Sequence, residues 1–152
     1  MSTHPPPIRT TDIDPFNVET FARDPHVLLA EDDKDLRELL SSGLRRRGYE
    51  VKTVCDGREM LTALTAVARR EVTTPDVIVM DIRMPVVTGL DLLRGIRLAA
   101  WRIPVIMMTG FGDKQTHALA AELGAFATLD KPLTTLALAV EIDRALDLTR
   151  GP

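Results

Sequence analysis

Five short apolar runs, separated by longer stretches with helical periodicity, constrain this fold more than any other feature of the chain. The runs are residues 27–30, 51–54, 77–80, 105–108 and 125–129. The first, third and fourth are almost continuously apolar, as strands must be in a parallel sheet that is covered on both faces. We therefore interpret the runs as five strands of one sheet.

The stretches that follow the runs are interpreted as helices. Their apolar residues recur at intervals of three and four, at 36, 39, 40 and 44; at 60, 61, 64 and 67; at 90, 92, 93 and 96; and within 118–123 and 136–148. Gly48 and Gly124 follow predicted helix ends, and the basic run 45–47 complements a helix dipole. Alternating strands and helices predict an α/β fold, a doubly wound five-stranded parallel sheet with five helices.

The first 25 residues differ from the rest of the chain. They hold five of the ten prolines and show no sustained apolar periodicity. We predict that residues 1–25 form an N-terminal extension, largely disordered or loosely docked, and that 26–149 form the domain. Because residues 13–21 include two phenylalanines, we expect this segment to dock on the domain or on a partner.

Composition limits the class of protein. The 152 residues are 45% hydrophobic with a formal net charge of −3, which suits one domain and gives no positive field for nucleic acid. The one cysteine, Cys55, cannot form an internal disulfide, and no apolar run approaches the about 18 residues of a membrane span. We expect a cytoplasmic protein that binds neither nucleic acid nor membrane, with Cys55 as a buried small side chain in a strand.

Polar residues stand where four of the five predicted strands end. Glu31, Asp32 and Asp33 follow the first strand, Asp81 the third, Thr109 the fourth and Lys131 the fifth. Each feature alone is typical of a helix cap or a turn. Because ligands bind beyond the carboxyl ends of strands in such sheets, the joint placement predicts a functional site.

These residue types suit a site for Mg²⁺ and phosphate together. Clustered carboxylates raise one another's pKa unless a cation neutralises them, and Mg²⁺ uses one or two carboxylates plus phosphate oxygens. One acid would attack phosphorus to form an aspartyl phosphate. Lys131 and Thr109 would then contact phosphoryl oxygens.

The chain from 26 to 148 resembles the receiver domains of response regulators, the flavodoxin-like switches of two-component signalling. The segment VLLAEDDKDLR at 27–37 resembles the family's first strand, acidic pair and helix arginine. In that register Glu31 and Asp32 form the pair, and Asp33 begins the helix.

Two later segments extend the resemblance. The sequence DIRMP at 81–85 resembles the phosphoacceptor segment, which makes Asp81 the acceptor and places the Arg83 backbone carbonyl on the metal. The segments ending at Thr109 and at Lys131 resemble the strands that carry the switch hydroxyl and the lysine, with a cis bond expected between Lys131 and Pro132.

The resemblance implies a ligand, partners and a role. It implies Mg²⁺ on Glu31, Asp32, Asp81 and the Arg83 carbonyl. It also implies a phosphoryl donor, either a sensor histidine kinase or a histidine phosphotransfer protein, and a downstream target protein. A homodimer is left open. Such a chain is not an enzyme with turnover, since it catalyses only its own phosphorylation and dephosphorylation.

The chain departs from the family pattern at three places. Thr128 stands where an aromatic residue is usual, Leu133 replaces a common phenylalanine, and valines occupy 86 and 87. Because threonine cannot fill a ring-sized gap, we predict that phosphorylation mainly rearranges the loop 110–113, with Phe111 as the mobile ring, and changes the fifth strand little.

Several interpretations remain open. A stand-alone receiver is favoured because only 20 residues follow Pro132; a receiver fragment of a larger regulator or hybrid kinase is the alternative. A degenerate receiver would act as a phosphorylation-independent binding module. An aspartyl-nucleophile phosphatase is disfavoured, since it would usually carry an acid two residues after the nucleophile, where Arg83 stands.

Overall fold

The computed structural model describes residues 23–110 and 112–150 and folds them into a three-layered α/β domain. In chain order the elements are β1 His26–Ala30, α1 Lys34–Arg46, β2 Glu50–Val54, α2 Gly57–Ala68, β3 Val77–Asp81, α3 Gly89–Leu98, β4 Val105–Thr109, α4 Lys114–Glu122, β5 Ala127–Asp130 and α5 Thr135–Arg150. The strands are parallel, in the order β2-β1-β3-β4-β5. The predicted fold class is confirmed.

The two faces of the sheet carry separate apolar layers. Alternate residues of β1 and β3, such as Leu28 and Ile78, pack with α2 and α3 on one face. Their neighbours, such as Leu29 and Val79, pack with α1 and α5 on the other. Because both faces are covered, every residue of β3 and β4 is buried, which explains why those two runs are continuously apolar in the sequence.

Element ends follow local chemistry more closely than apolar spacing. Helix α4 begins at Lys114, earlier than the predicted 118, because the Asp113 side chain caps it by accepting the Thr116 N–H at 2.7 Å. Gly48 and Gly124 follow helices at φ 93° and 96°, as the predicted stops require. The Lys131–Pro132 bond is cis, as the resemblance implied.

The expectation for Cys55 is wrong. This residue follows β2 in a bend and is only partly buried, so it is not a core side chain. Its N–H donates to Glu59 Oε2 at 2.7 Å, and a hydrogen bond with Glu59 raises the pKa of the Cys55 thiol. Strand β2 ends at Val54, as the apolar run 51–54 does, and Cys55 lies just beyond it.

The junction between extension and domain is described only from Arg23. Arg23 pairs with Asp76 at 2.9 Å, and the Pro25 carbonyl accepts the Glu50 N–H at 2.9 Å. The predictions for residues 1–22, including docking of 13–21, lie outside the described residues and stay predictions. Among the helices described, none has the length and apolar character needed to cross a membrane.

Candidate functional site

The candidate site lies at the carboxyl edge of the sheet. The parallel register pairs Ala30 with Met80, Asp81 with Met108, and Thr109 with Asp130. Polar residues that end or directly follow these strands are therefore brought to one edge. The structure places Glu31, Asp32, Asp81, Thr109 and Lys131 there, where the sequence predicted a site.

Three carboxylates form an acidic cluster at this edge, which we define as Glu31, Asp32 and Asp81. One oxygen from each lies within 4.8 Å of the others. Glu31 is fully buried and Asp81 is 5% exposed, whereas Asp32 is open to solvent. Asp33 stays outside the cluster, because its side chain accepts the Leu36 N–H at 2.9 Å and caps α1.

Lys131 supplies the positive charge that faces the acidic cluster. Its ammonium contacts Asp81 Oδ2 and lies 2.8 Å from Glu31 Oε2. That Glu31 oxygen is buried, and within the described residues no hydrogen bond of acceptable geometry reaches it. Its pairing with Lys131 is therefore a charge contact.

The electrostatics of the cluster favour an additional cation. Burial raises the pKa of Glu31 to about 7, with the charge of Asp81 acting in the same direction and Lys131 opposing it. Burial would lower the pKa of Lys131, but its contacts with Asp81 and Glu31 raise it above the ordinary value. Three carboxylates against one ammonium leave two negative charges, which a divalent ion with oxygen ligands would balance.

Backbone groups hold Asp81 in place. The Arg83 N–H donates to Asp81 Oδ1 at 2.8 Å, so Oδ1 and Oδ2 face different partners. A Cβ at Gly89 would come within 2.3 Å of the Asp81 carbonyl oxygen, so the start of α3 packs directly against the end of β3. Thr109 is buried at the end of the neighbouring strand.

Some contacts at the site had no clear sequence signal. The Arg37 guanidinium donates to the Glu31 carbonyl at 2.8 Å and so ties α1 to the end of β1; the resemblance flagged this arginine without giving its contact. Val86 has φ 72° and is 77% exposed, and the Val87 N–H donates to the Pro85 carbonyl at 2.8 Å, which closes a strained three-residue turn that β-branched residues rarely adopt. The unusual valine pair was visible in the sequence, but its backbone conformation was not.

Comparison with known proteins decides the family. Residues 27–143 match the family model of the response regulator receiver domain. The chain belongs to the response-regulator receiver family. Phosphorylation and Mg²⁺ binding are typical of this family, and its members interact with histidine kinases and downstream effectors.

Individual relatives agree with this membership. The C4-dicarboxylate transport transcriptional regulatory protein DctD of Pseudomonas aeruginosa is 37% identical over 136 residues, which cover 90% of this chain and 27% of that protein. The transcriptional regulatory protein PrrA of Mycobacterium leprae is 34% identical over 134 residues, covering 88% and 54%. The receiver therefore spans between about a quarter and about half of the length of these curated relatives.

Solved structures show the same fold. A response regulator receiver domain protein from Clostridium thermocellum superposes with a TM-score of 0.75 at 30% identity, covering 83% of this chain and 97% of that one. The chemotaxis response regulator CheY4 of Vibrio cholerae gives 0.69 at 30% identity, covering 81% and 99%.

Proposed function

We propose that this receiver is a phosphorylation-dependent signalling switch that accepts a phosphoryl group on Asp81 in a Mg²⁺-dependent reaction. The donor is a sensor histidine kinase or a histidine phosphotransfer protein, and the output is contact with a downstream target protein. The observation that carries the proposal is the position of Asp81, which lies within 4.8 Å of two further carboxylates and in contact with the Lys131 ammonium.

Asp81 is the acid best placed to attack phosphorus. Asp32 is open to solvent, and Glu31 is fully buried with a pKa raised by that burial. Asp81 is slightly exposed, and the Arg83 N–H fixes its carboxylate. In the proposed step an Asp81 oxygen bonds to phosphorus while the bond from phosphorus to the donor's histidine nitrogen breaks.

The other residues have supporting roles. Glu31, Asp32, Asp81 and the Arg83 carbonyl would hold Mg²⁺, which when bound neutralises charge on the transferred group. Lys131, already against Asp81, would pair with one phosphoryl oxygen, and the Thr109 hydroxyl would donate to another. The loss of phosphate afterwards completes a switching cycle without turnover of a small substrate.

The test is phosphorylation by acetyl phosphate or phosphoramidate with Mg²⁺, followed by intact-mass measurement. Wild type should gain one phosphoryl group, and Asp81→Asn should gain none. Asp33→Asn is the matched control, because Asp33 is a neighbouring acid that caps α1 outside the cluster. An undiminished adduct in Asp81→Asn would contradict the assignment of the acceptor.

The mass measurement, together with a turnover assay on small phosphate esters, separates the alternatives. A wild-type protein that gains no phosphoryl group would favour the binding module that works without phosphorylation. Release of many phosphates per protein molecule from small phosphate esters would favour a phosphatase instead.

A further inference from the structure

A pair of side chains outside the acidic cluster joins the start of α4 to the end of β5. His117 Nε2 lies 2.8 Å from Asp130 Oδ1, with the His117 side chain 36% exposed and that of Asp130 60% exposed. Asp130 is paired in register with Thr109, and the N–H of the next residue, Lys131, donates to the Thr109 carbonyl at 2.8 Å. The pair therefore lies next to Thr109 and Lys131, the two residues that are proposed to contact phosphoryl oxygens.

Gly112, in the loop after β4, packs against this pair. A Cβ on Gly112 would lie 1.7 Å from Asp130 Oδ1 and 2.8 Å from His117 Nε2. The φ of Gly112 lies outside the left-handed region. Glycine is therefore required here because a side chain would clash with the pair, not because of the backbone conformation. The next residue, Asp113, caps α4. The loop after β4, the first turn of α4 and the end of β5 are therefore in mutual contact.

We propose that the His117–Asp130 pair is a clasp that holds Gly112 and the first turn of α4 against β5 in the unphosphorylated protein, and that phosphorylation opens it. This regulation rests on the function proposed above. A shift of Thr109 toward a phosphoryl group would be carried along the backbone to Gly112. Because Gly112 touches both members of the pair, that shift disturbs their hydrogen bond.

The clasp is weak enough to be opened by a ligand. Both side chains are partly exposed, and exposed pairs of this kind contribute little. Breaking the pair should therefore shift the switching equilibrium by about two- to fivefold, which raises the apparent affinity for any ligand that binds the open state by the same factor.

Calorimetric titration with beryllofluoride in excess Mg²⁺ tests the clasp. We expect His117→Ala and Asp130→Ala each to bind beryllofluoride about two- to fivefold more tightly than wild type, with the double variant no tighter than either single one. His26→Ala is the matched control, because it removes a pair of the same kind, His26 Nε2 lying 2.9 Å from Glu50 Oε2, at the opposite end of the sheet.

Beryllofluoride binding by Gly112→Ala distinguishes opening of the clasp from a general loss of local stability. The added methyl group would displace Asp130, so this variant should also bind beryllofluoride more tightly. In an Asp130→Ala background the closest obstacle is gone, and the same change at Gly112 should have little effect. Thermal unfolding of each variant verifies that it is folded.

The outcomes separate this inference from the function on which it rests. Normal binding by wild type with unchanged or weaker binding by the His117 and Asp130 variants would overturn the clasp alone. An equal effect of Gly112→Ala in both backgrounds would overturn it as well. A wild-type protein that binds no beryllofluoride would overturn the proposed function and the clasp together.

Discussion

Replacing Glu31 by glutamine should stabilise the metal-free receiver at alkaline pH. The change keeps the side-chain shape and the oxygen that accepts the Asp33 N–H at 3.1 Å, but removes a fully buried charge. Burial raises the pKa of Glu31 from 4.5 to about 7, so ionised Glu31 costs folding free energy. One pKa unit is worth about 1.4 kcal/mol, and after allowance for solvent screening we expect a gain of about 2 kcal/mol.

The sign follows from proton linkage. A carboxyl whose pKa is raised on folding contributes stability below its unfolded pKa and loses that contribution as the pH rises through the folded value. In EDTA the advantage of Glu31→Gln should therefore be absent at about pH 4.5 and complete at about pH 8. Saturating Mg²⁺ should reverse the order, because only wild type has the carboxylate ligand.

Urea unfolding of both proteins across this pH range, with and without Mg²⁺, measures the effect. Glu38→Gln on the exposed side of α1 is the control and should show no such pH dependence. A Glu31→Gln protein that is less stable than wild type in EDTA at alkaline pH would refute this account of the buried charge.

Four further outcomes are expected. Asp32→Ala should weaken Mg²⁺ binding and slow phosphorylation without removing the acceptor; equal Mg²⁺ affinity by calorimetry would contradict the ligand assignment. Val86→Gly should raise the free energy of unfolding by about 1 kcal/mol, since glycine has no Cβ to strain at positive φ, and lower urea stability would count against strain at Val86. Beryllofluoride should change hydrogen exchange mainly in the loop 110–113. Changes centred on 126–130, with no change in that loop, would show that the prediction is wrong. Deletion of 1–22 should lower the melting temperature or partner affinity, and no change in melting temperature, oligomeric state or affinity would dispose of docking.

The fold was predictable because its main signals are local in sequence. Buried parallel strands require continuous apolar runs, and β3 and β4 show them. The placement of Asp81 and Lys131 was predictable for a related reason, since the carboxyl ends of parallel strands must share one edge. Once the strands were assigned, the convergence of the site followed from topology.

Features that depend on contacts between distant segments were not predictable. His117 and Asp130 lie on different elements, and neither stands in a pattern that indicates the other. The partial exposure of Cys55 depends on where β2 ends, which is set by hydrogen bonding. Val86 has a positive φ in a tight turn that is closed by the Val87 N–H donating to the Pro85 carbonyl, against the preference of a β-branched residue.

Chemical identification of the modified residue tests the central claim most directly. After reaction with acetyl phosphate and Mg²⁺, reduction by borohydride converts an aspartyl phosphate to homoserine, which peptide mass spectrometry can locate. The account predicts homoserine at position 81 in wild type, and none anywhere in Asp81→Asn or in protein that was never phosphorylated. Homoserine at position 32 instead, or a phosphorylated protein with no homoserine at 81, would contradict it.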